Sequence, residues 1–419
     1  MGAVRDPLEA VLVAVPVVVL ACGGAGAVVR RLGQPAVVGE ILVGIALGPS
    51  LLGWLWPEGS RWLLPGEALP YLGVLGNLGL LVFMFLVGLE LDLGLLRGRG
   101  PAVVAISQAS LWVPLGLGTL LALAMYGSFA PEGVGRPEFV LFVAVALSVT
   151  AFPVLARILA DQGVQGTPVG AVAMACAAVA DVVAWCLLAV VVAMAGAAGE
   201  GAGAGAGTGS GWGVAGTAVL AGVFLAVMWW GARPLLGRAV ERWGGSCPER
   251  GAVVGVCSGL CLAAYTTQVV GVHALFGAFV FGAVLPRAGV VEAAAERMRE
   301  FAVPVLLPLF FVGSGLRTDV GLVVSGGAWW WALAVLVVAV AGKWGAGAGA
   351  ARWAGMPGRD AVMLGALMNC RGVTELVVLN VGLGLGVIGG ELFTMLVLMA
   401  LVTTGVTGPV VQRLRGREG

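Results

Sequence analysis

The sequence predicts an all-α polytopic membrane protein of about 13 transmembrane helices, built as an inverted repeat. Three observations predict it. First, 60% of the 419 residues are hydrophobic and only 11% are charged, and the apolar runs reach the ~20 residues that a helix needs to cross a bilayer. Second, basic residues are segregated between alternate loops. Third, each half of the chain carries, near its end, one hydrophobic span interrupted by proline or by polar residues.

Thirteen spans can be drawn, at about 8–29, 35–56, 71–89, 102–126, 137–159, 168–196, 212–235, 251–267, 270–286, 301–316, 326–351, 360–383 and 391–412. The second contains Gly39, Gly44, Gly48 and Pro49 and is expected to bend. Of 23 basic residues, Arg5, Arg61, Arg136 and Arg317 fall in one set of loops, and Lys343 and Arg371 fall inside spans. The remaining 17 fall in loops that follow odd-numbered spans or, for Arg157 and Arg233, in the last turn of such a span. Positive charge is retained on the cytoplasmic side. The pattern therefore places the N-terminus outside and the C-terminus in the cytoplasm, in what is expected to be a bacterial plasma membrane. The arginines follow the first span and do not precede it, which argues against a cleaved signal peptide.

Residues 199–211 are glycine-rich and low in complexity, a flexible linker near the chain midpoint. They divide a first half-repeat, 1–198, from a second, 212–419. In the first half the late span is interrupted at Ser148–Pro153, and in the second at Asn369–Glu375. Paired broken helices at corresponding positions indicate an inverted-repeat transporter with its site near the bilayer midplane. Net charge is +1, so there is no electrostatic case for nucleic acid; the expected surroundings are membrane lipid. Six of the seven cysteines lie in apolar runs and Cys247 in a loop, without metal-ligand spacing or a disulfide framework. No catalytic triad is evident, no enzymatic role is expected, and no cofactor is implied. With seven residues after Gln412, no fused nucleotide-binding regulatory domain is expected on this chain.

The chemistry is concentrated in a few charges inside apolar spans. Lys343 is the only lysine, set where each charge costs about 2.5–3.5 kcal/mol on insertion scales. A buried lysine can give up its proton, whereas arginine stays charged. Asp181 is the one acid in its span. A buried carboxylate can hold a proton or a metal cation, and that competition is the minimum that cation/proton exchange requires. A structural ion pair with Lys343 is the plainer reading of the same two residues. The break at Ser148–Pro153 frees carbonyls and adds the hydroxyls of Ser148 and Thr150, oxygen ligands suited to a monovalent cation at Asp181. An ordinary proline kink with back-bonded hydroxyls is the alternative. At the second break Arg371 and Glu375 stand four apart, as a mutually neutralising pair, and Asn369 offers an amide oxygen. His273 is the only histidine, either a pH sensor or a packed residue near a span end.

Several stretches in order along the chain, 34–50 (QPAVVGEILVGIALGPS), 85–92 (FLVGLELD), 146–157 (ALSVTAFPVLAR), 273–280 (HALFGAFV), 307–316 (LPLFFVGSGL), Gly342–Lys343 and 371–380 (RGVTELVVLN), resemble the monovalent cation/proton antiporter-2 family. That family includes plant cation/H+ exchangers, Kef-type K+/H+ systems and bacterial Na+/H+ antiporters. The resemblance implies the sodium/proton antiporter-like fold, in which the two broken helices cross. It implies a core of helices at about 102–196 and 326–412, and a scaffold at about 8–89 and 251–316 that forms a homodimer. It also implies elevator-like alternating access exchanging H+ for Na+ or K+. Asp181 matches the family's cation-binding aspartate, Thr150 the hydroxyl of the first crossover, and Lys343 the lysine paired to the aspartate. The sequence departs from the family at Ala180, where members usually carry Asp or Asn. With one carboxylate, one-for-one exchange is the expected stoichiometry. A gated cation channel or uniporter, and an exporter of an organic or ionophore-like molecule, remain compatible with the same residues.

Overall fold

A computed structural model of the chain describes residues 6–90, 100–164, 166–198, 213–243, 249–271, 273–325 and 327–415. The linker at 199–211, Cys247 and Asp92 lie outside the described residues. Among those residues the structure is all helical. The main helices are α1 (Pro7–Arg31), α2 (Ala36–Leu47), α3 (Leu69–Glu90), α4 (Gly100–Phe129), α5 (Arg136–Ser148), α6 (Phe152–Asp161), α7 (Pro168–Ala198), α8 (213–243), α9 (Glu249–Val270), α10 (Ala274–Val284), α11 (289–316), α12 (Trp329–Trp353), α13 (Gly358–Met368), α14 (Val373–Gly384) and α15 (Gly390–Arg415).

Eleven of the described helices are long and apolar enough to cross a membrane. The difference from thirteen has a physical cause at two places. The span drawn at 137–159 is two half-helices, α5 and α6, of 13 and 10 residues. Pro153 brings no N–H to the turn that would join them, and Val149 is extended, with ψ 143°. The span drawn at 270–286 is α10, only 11 residues long, which begins after a turn at Gly271 with φ 93°. The expected bend in the second span is present: α2 stops at Leu47, and a short helix, Leu52–Leu55, follows.

The chain resolves into two compact units. One comprises residues up to 20, 61–91 and 192–313. Its tightest crossing joins α3 to α10, where glycines let the two backbones meet. A Cβ on Gly88 would lie 2.1 Å from the Phe279 carbonyl oxygen, and one on Gly282 would lie 2.1 Å from that of Phe85. Small residues allow such close approach in lipid, where burial in hydrocarbon gives helices little reason to associate. Phe85 and Phe281 pack beside this crossing, with ring centroids 5.8 Å apart. His273 belongs to this unit and caps α10, its Nδ1 accepting from the Leu275 amide at 3.4 Å.

The second unit comprises 21–60, 92–191 and 314–419. It holds the half-helices α5, α6, α13 and α14 together with α4, α12 and α15, and most of α7. Among the described residues, the segment containing α13 and α14 is the most deeply buried of the candidate spans. Three wider turns interrupt helices among the described residues, one of them at Val227–Ala232 in α8. In α11 the turn at Ala302–Leu306 contains Pro304, which has no N–H for the regular ladder. In α12 the turn at Ala341–Gly345 carries Lys343. Single π turns of this kind recur at functional positions within helices.

Candidate functional site

The two breaks lie against each other. In the first, Val149–Ala151 separates α5 from α6; in the second, Asn369–Gly372 separates α13 from α14. The Ala151 amide donates to the Cys370 carbonyl at 3.2 Å. A Cβ on Gly372 would meet Val154 at 2.5 Å, so only glycine permits this approach. The crossing expected from the resemblance is thus present as backbone contact.

A broken helix exposes carbonyls at one end and amides at the other, with partial negative and positive charge respectively. Each exposed end in this crossing has a complementary group. Arg371 answers the carbonyl end of α5: its Nη1 donates to Ala146 O at 3.0 Å and its Nη2 to Leu147 O at 2.7 Å. Thr150 Oγ1 donates to Met368 O at 3.2 Å, at the carbonyl end of α13. Each break therefore caps the half-helix that precedes the other. Glu375 lies in the first turn of α14 and receives Arg371 Nη1 on both carboxylate oxygens at 3.0 Å. Arg371 and Glu375 are wholly buried.

Lys343 is also wholly buried. Its ammonium donates to Thr150 Oγ1 at 2.5 Å. Through that hydroxyl it adds positive charge to the α13 carbonyl end. Asp181, midway along α7, is 2% exposed, and neither of its oxygens has a hydrogen-bond partner. The Phe152 amide, at the amide end of α6, faces this carboxylate without completing a hydrogen bond. Asp181, Glu375 and Arg371 all act on Lys343 through the Coulomb field. The residue the lysine actually touches is Thr150.

Thr150, Lys343, Arg371 and Glu375 are thus joined through the crossing, and Asp181 faces it from α7. Ser148 lies at the last turn of α5, its hydroxyl donating back to Val145 O at 2.9 Å. Asn369 ends α13, 2% exposed, its amide oxygen without a partner. Sequence reasoning did not single out Thr404. Its hydroxyl accepts from the Arg371 amide at 3.1 Å and donates to the Arg371 carbonyl at 2.5 Å. One side chain on α15 therefore satisfies both backbone groups of a residue in the second break. The signal was present as Thr403, Thr404 and Thr407 grouped within an otherwise apolar span.

Comparison with known proteins adds the following. The profile described as sodium/hydrogen exchanger, transmembrane, matches residues 17–415. The chain is 38% identical to the Na+/H+ antiporter NhaS4 of Synechocystis sp., over 93% of each chain. It is 38% identical to cation/H+ antiporter 19 of Arabidopsis thaliana and 32% identical to K+/H+ antiporter 1 of Saccharomyces cerevisiae, over 91% and 97% of its own length. It spans about half the length of these last two, 46% of each. Among solved structures it is similar in fold to the sodium proton antiporter MjNhaP1 from Methanocaldococcus jannaschii, with a TM-score of 0.65, 12% identity and 98% of each chain covered.

Proposed function

The chain belongs to the sodium/hydrogen exchanger family of membrane antiporters, and from that premise we propose that it exchanges protons for Na+ or K+ at Asp181. The observation that carries this reading is the carboxylate itself. It is buried, and both of its oxygens lack a partner. Buried carboxylates rarely stand so unless something else neutralises them. A proton does so in one half-cycle and an alkali cation in the other. In the exchange step the protonated carboxyl loses its proton to water and the cation takes its place on the carboxylate. Charge on the site then changes by nothing, which is one-for-one exchange.

Thr150 and Lys343 set the conditions for that step. While the Lys343 ammonium donates to Thr150, it occupies a lone pair that a cation would otherwise use. An incoming cation replaces the ammonium at Thr150 as well as the proton at Asp181. The relatives named for Na+/H+ and K+/H+ exchange support the class of substrate and leave Na+ and K+ as alternatives. The unit that carries the crossing is assigned as the moving part of an elevator-like cycle, in a homodimer. Orientation, with the C-terminus in the cytoplasm of a bacterial plasma membrane, rests on the arginine distribution.

Proteoliposomes with an entrapped pH dye test the reading. A Na+ or K+ pulse is expected to move protons in the opposite direction, and Asp181→Asn to abolish the response. Proton flux indifferent to every alkali cation would sink it.

A further inference from the structure

Among the described residues, seven buried side-chain oxygens lack a hydrogen-bond partner, and four of them belong to Asp181, Asn369 and Thr374. That concentration at one crossing separates these from isolated packing faults. The three residues are each 2% exposed. Asn369 and Thr374 flank the second break, whose Cys370 carbonyl is bonded to Ala151 in the first. Asp181 faces Phe152, the residue after Ala151.

Thr374 stands out among the buried threonines. A threonine inside a helix normally returns its hydroxyl to the carbonyl three or four residues earlier. Thr267, Thr403 and Thr407 all do so. For Thr374 those carbonyls belong to Arg371 and Cys370. The first already accepts from Thr404 and the second from Ala151. Thr374 is the second residue of α14, so both carbonyls lie in the unwound break and no helical turn behind the hydroxyl offers its usual acceptor. Beside Asp181, Ala180 is 1% exposed and brings no polar atom.

We infer that Asn369 Oδ1 and Thr374 Oγ1 are ligands of the transported alkali cation, serving with the Asp181 carboxylate and making good the polar group that Ala180 does not supply. This rests on the antiport reading and names the rest of its site. Hard monovalent cations shed water only where oxygen dipoles replace it, and the number and field of those dipoles set Na+ against K+. Two neutral oxygens and one carboxylate match one monovalent cation in charge.

The test compares Asn369→Ala, Thr374→Val and Thr374→Ser with the parent, each checked for monodispersity in detergent. Apparent KM is measured for Na+ and for K+ in proteoliposomes, and binding of radiolabelled Na+ and Rb+ to purified protein is measured separately. Loss of one ligand is expected to weaken cation affinity by about tenfold or more and to alter the Na+/K+ ratio. Thr374→Ser, which restores the hydroxyl, recovers most of the affinity. Cation affinity and selectivity unchanged in both Asn369→Ala and Thr374→Val would overturn the assignment. Should the parent show no cation-coupled proton flux, the antiport reading falls, and the binding measurement still decides whether these oxygens hold a cation. Should Asn369→Ala not fold, the contrast between Thr374→Val and Thr374→Ser carries the same decision.

Discussion

The Lys343 ammonium donates to the Thr150 hydroxyl at 2.5 Å, and that hydroxyl donates onward to the Met368 carbonyl at 3.2 Å. Two groups separated by 193 residues thereby join α12 to both broken helices. The ammonium is bound to the crossing itself and leaves the Asp181 carboxylate without a direct partner.

Replacing the lysine should therefore change how tightly the cation binds. Lys343→Gln removes the competitor at Thr150, so apparent cation affinity is expected to rise, while turnover falls as the empty site loses its placeholder. Lys343→Arg keeps a charge that stays fixed and should slow exchange without changing its electrical signature. Flux at clamped membrane potential, read for both variants, checks this. Equal affinity in Lys343→Gln and the parent would refute the placeholder role.

Thr150→Val removes a hydroxyl that both accepts and donates. It leaves the Lys343 ammonium and the Met368 carbonyl buried without that partner. Each orphaned group costs about 1–3 kcal/mol. Thermal unfolding in detergent should shift down, and Thr150→Ser should restore most of the loss.

Arg371→Ala should be the most damaging single change in the crossing. It strips charged donors from Ala146 O, Leu147 O and Glu375 at once. Breaking a buried ion pair by removing one partner costs about 3–5 kcal/mol. Arg371→Met combined with Glu375→Leu should recover part of that stability by removing the stranded carboxylate, though the α5 carbonyls remain uncapped. Yield of folded protein on size exclusion and the unfolding midpoint give the comparison.

Gly88→Ala and Gly282→Ala should each destabilise the unit that contains α3 and α10. Each puts a methyl group 2.1 Å from a backbone carbonyl oxygen, and no side chain can yield to make room. The loss should exceed that of Gly23→Ala, where a Cβ meets nothing within 4 Å. Unfolding midpoints of the three variants test the ordering.

The breaks, Asp181 and Lys343 were legible in the sequence because each violates the rule of its surroundings. Pro153 interrupts an apolar run, and a carboxylate or an amine in hydrocarbon is costly enough to need a reason. What the lysine touches was not legible. Thr150 and Asp181 are both chemically acceptable partners, and the wider turn at Ala341–Gly345 that carries the ammonium has no periodic signature. Thr374 was hidden for a similar reason, since its lack of a partner follows from its place in the first turn after the break, where no helical carbonyl lies behind it.

Arg371 and Thr150 each hold the half-helix that precedes the other's break. Neither break can then loosen without disturbing the carbonyl end of the half-helix that precedes the other. Under the proposed exchange, a cation seated at this crossing would act on both broken helices together. Under the proposed exchange cycle, the four half-helices are expected to move as one piece.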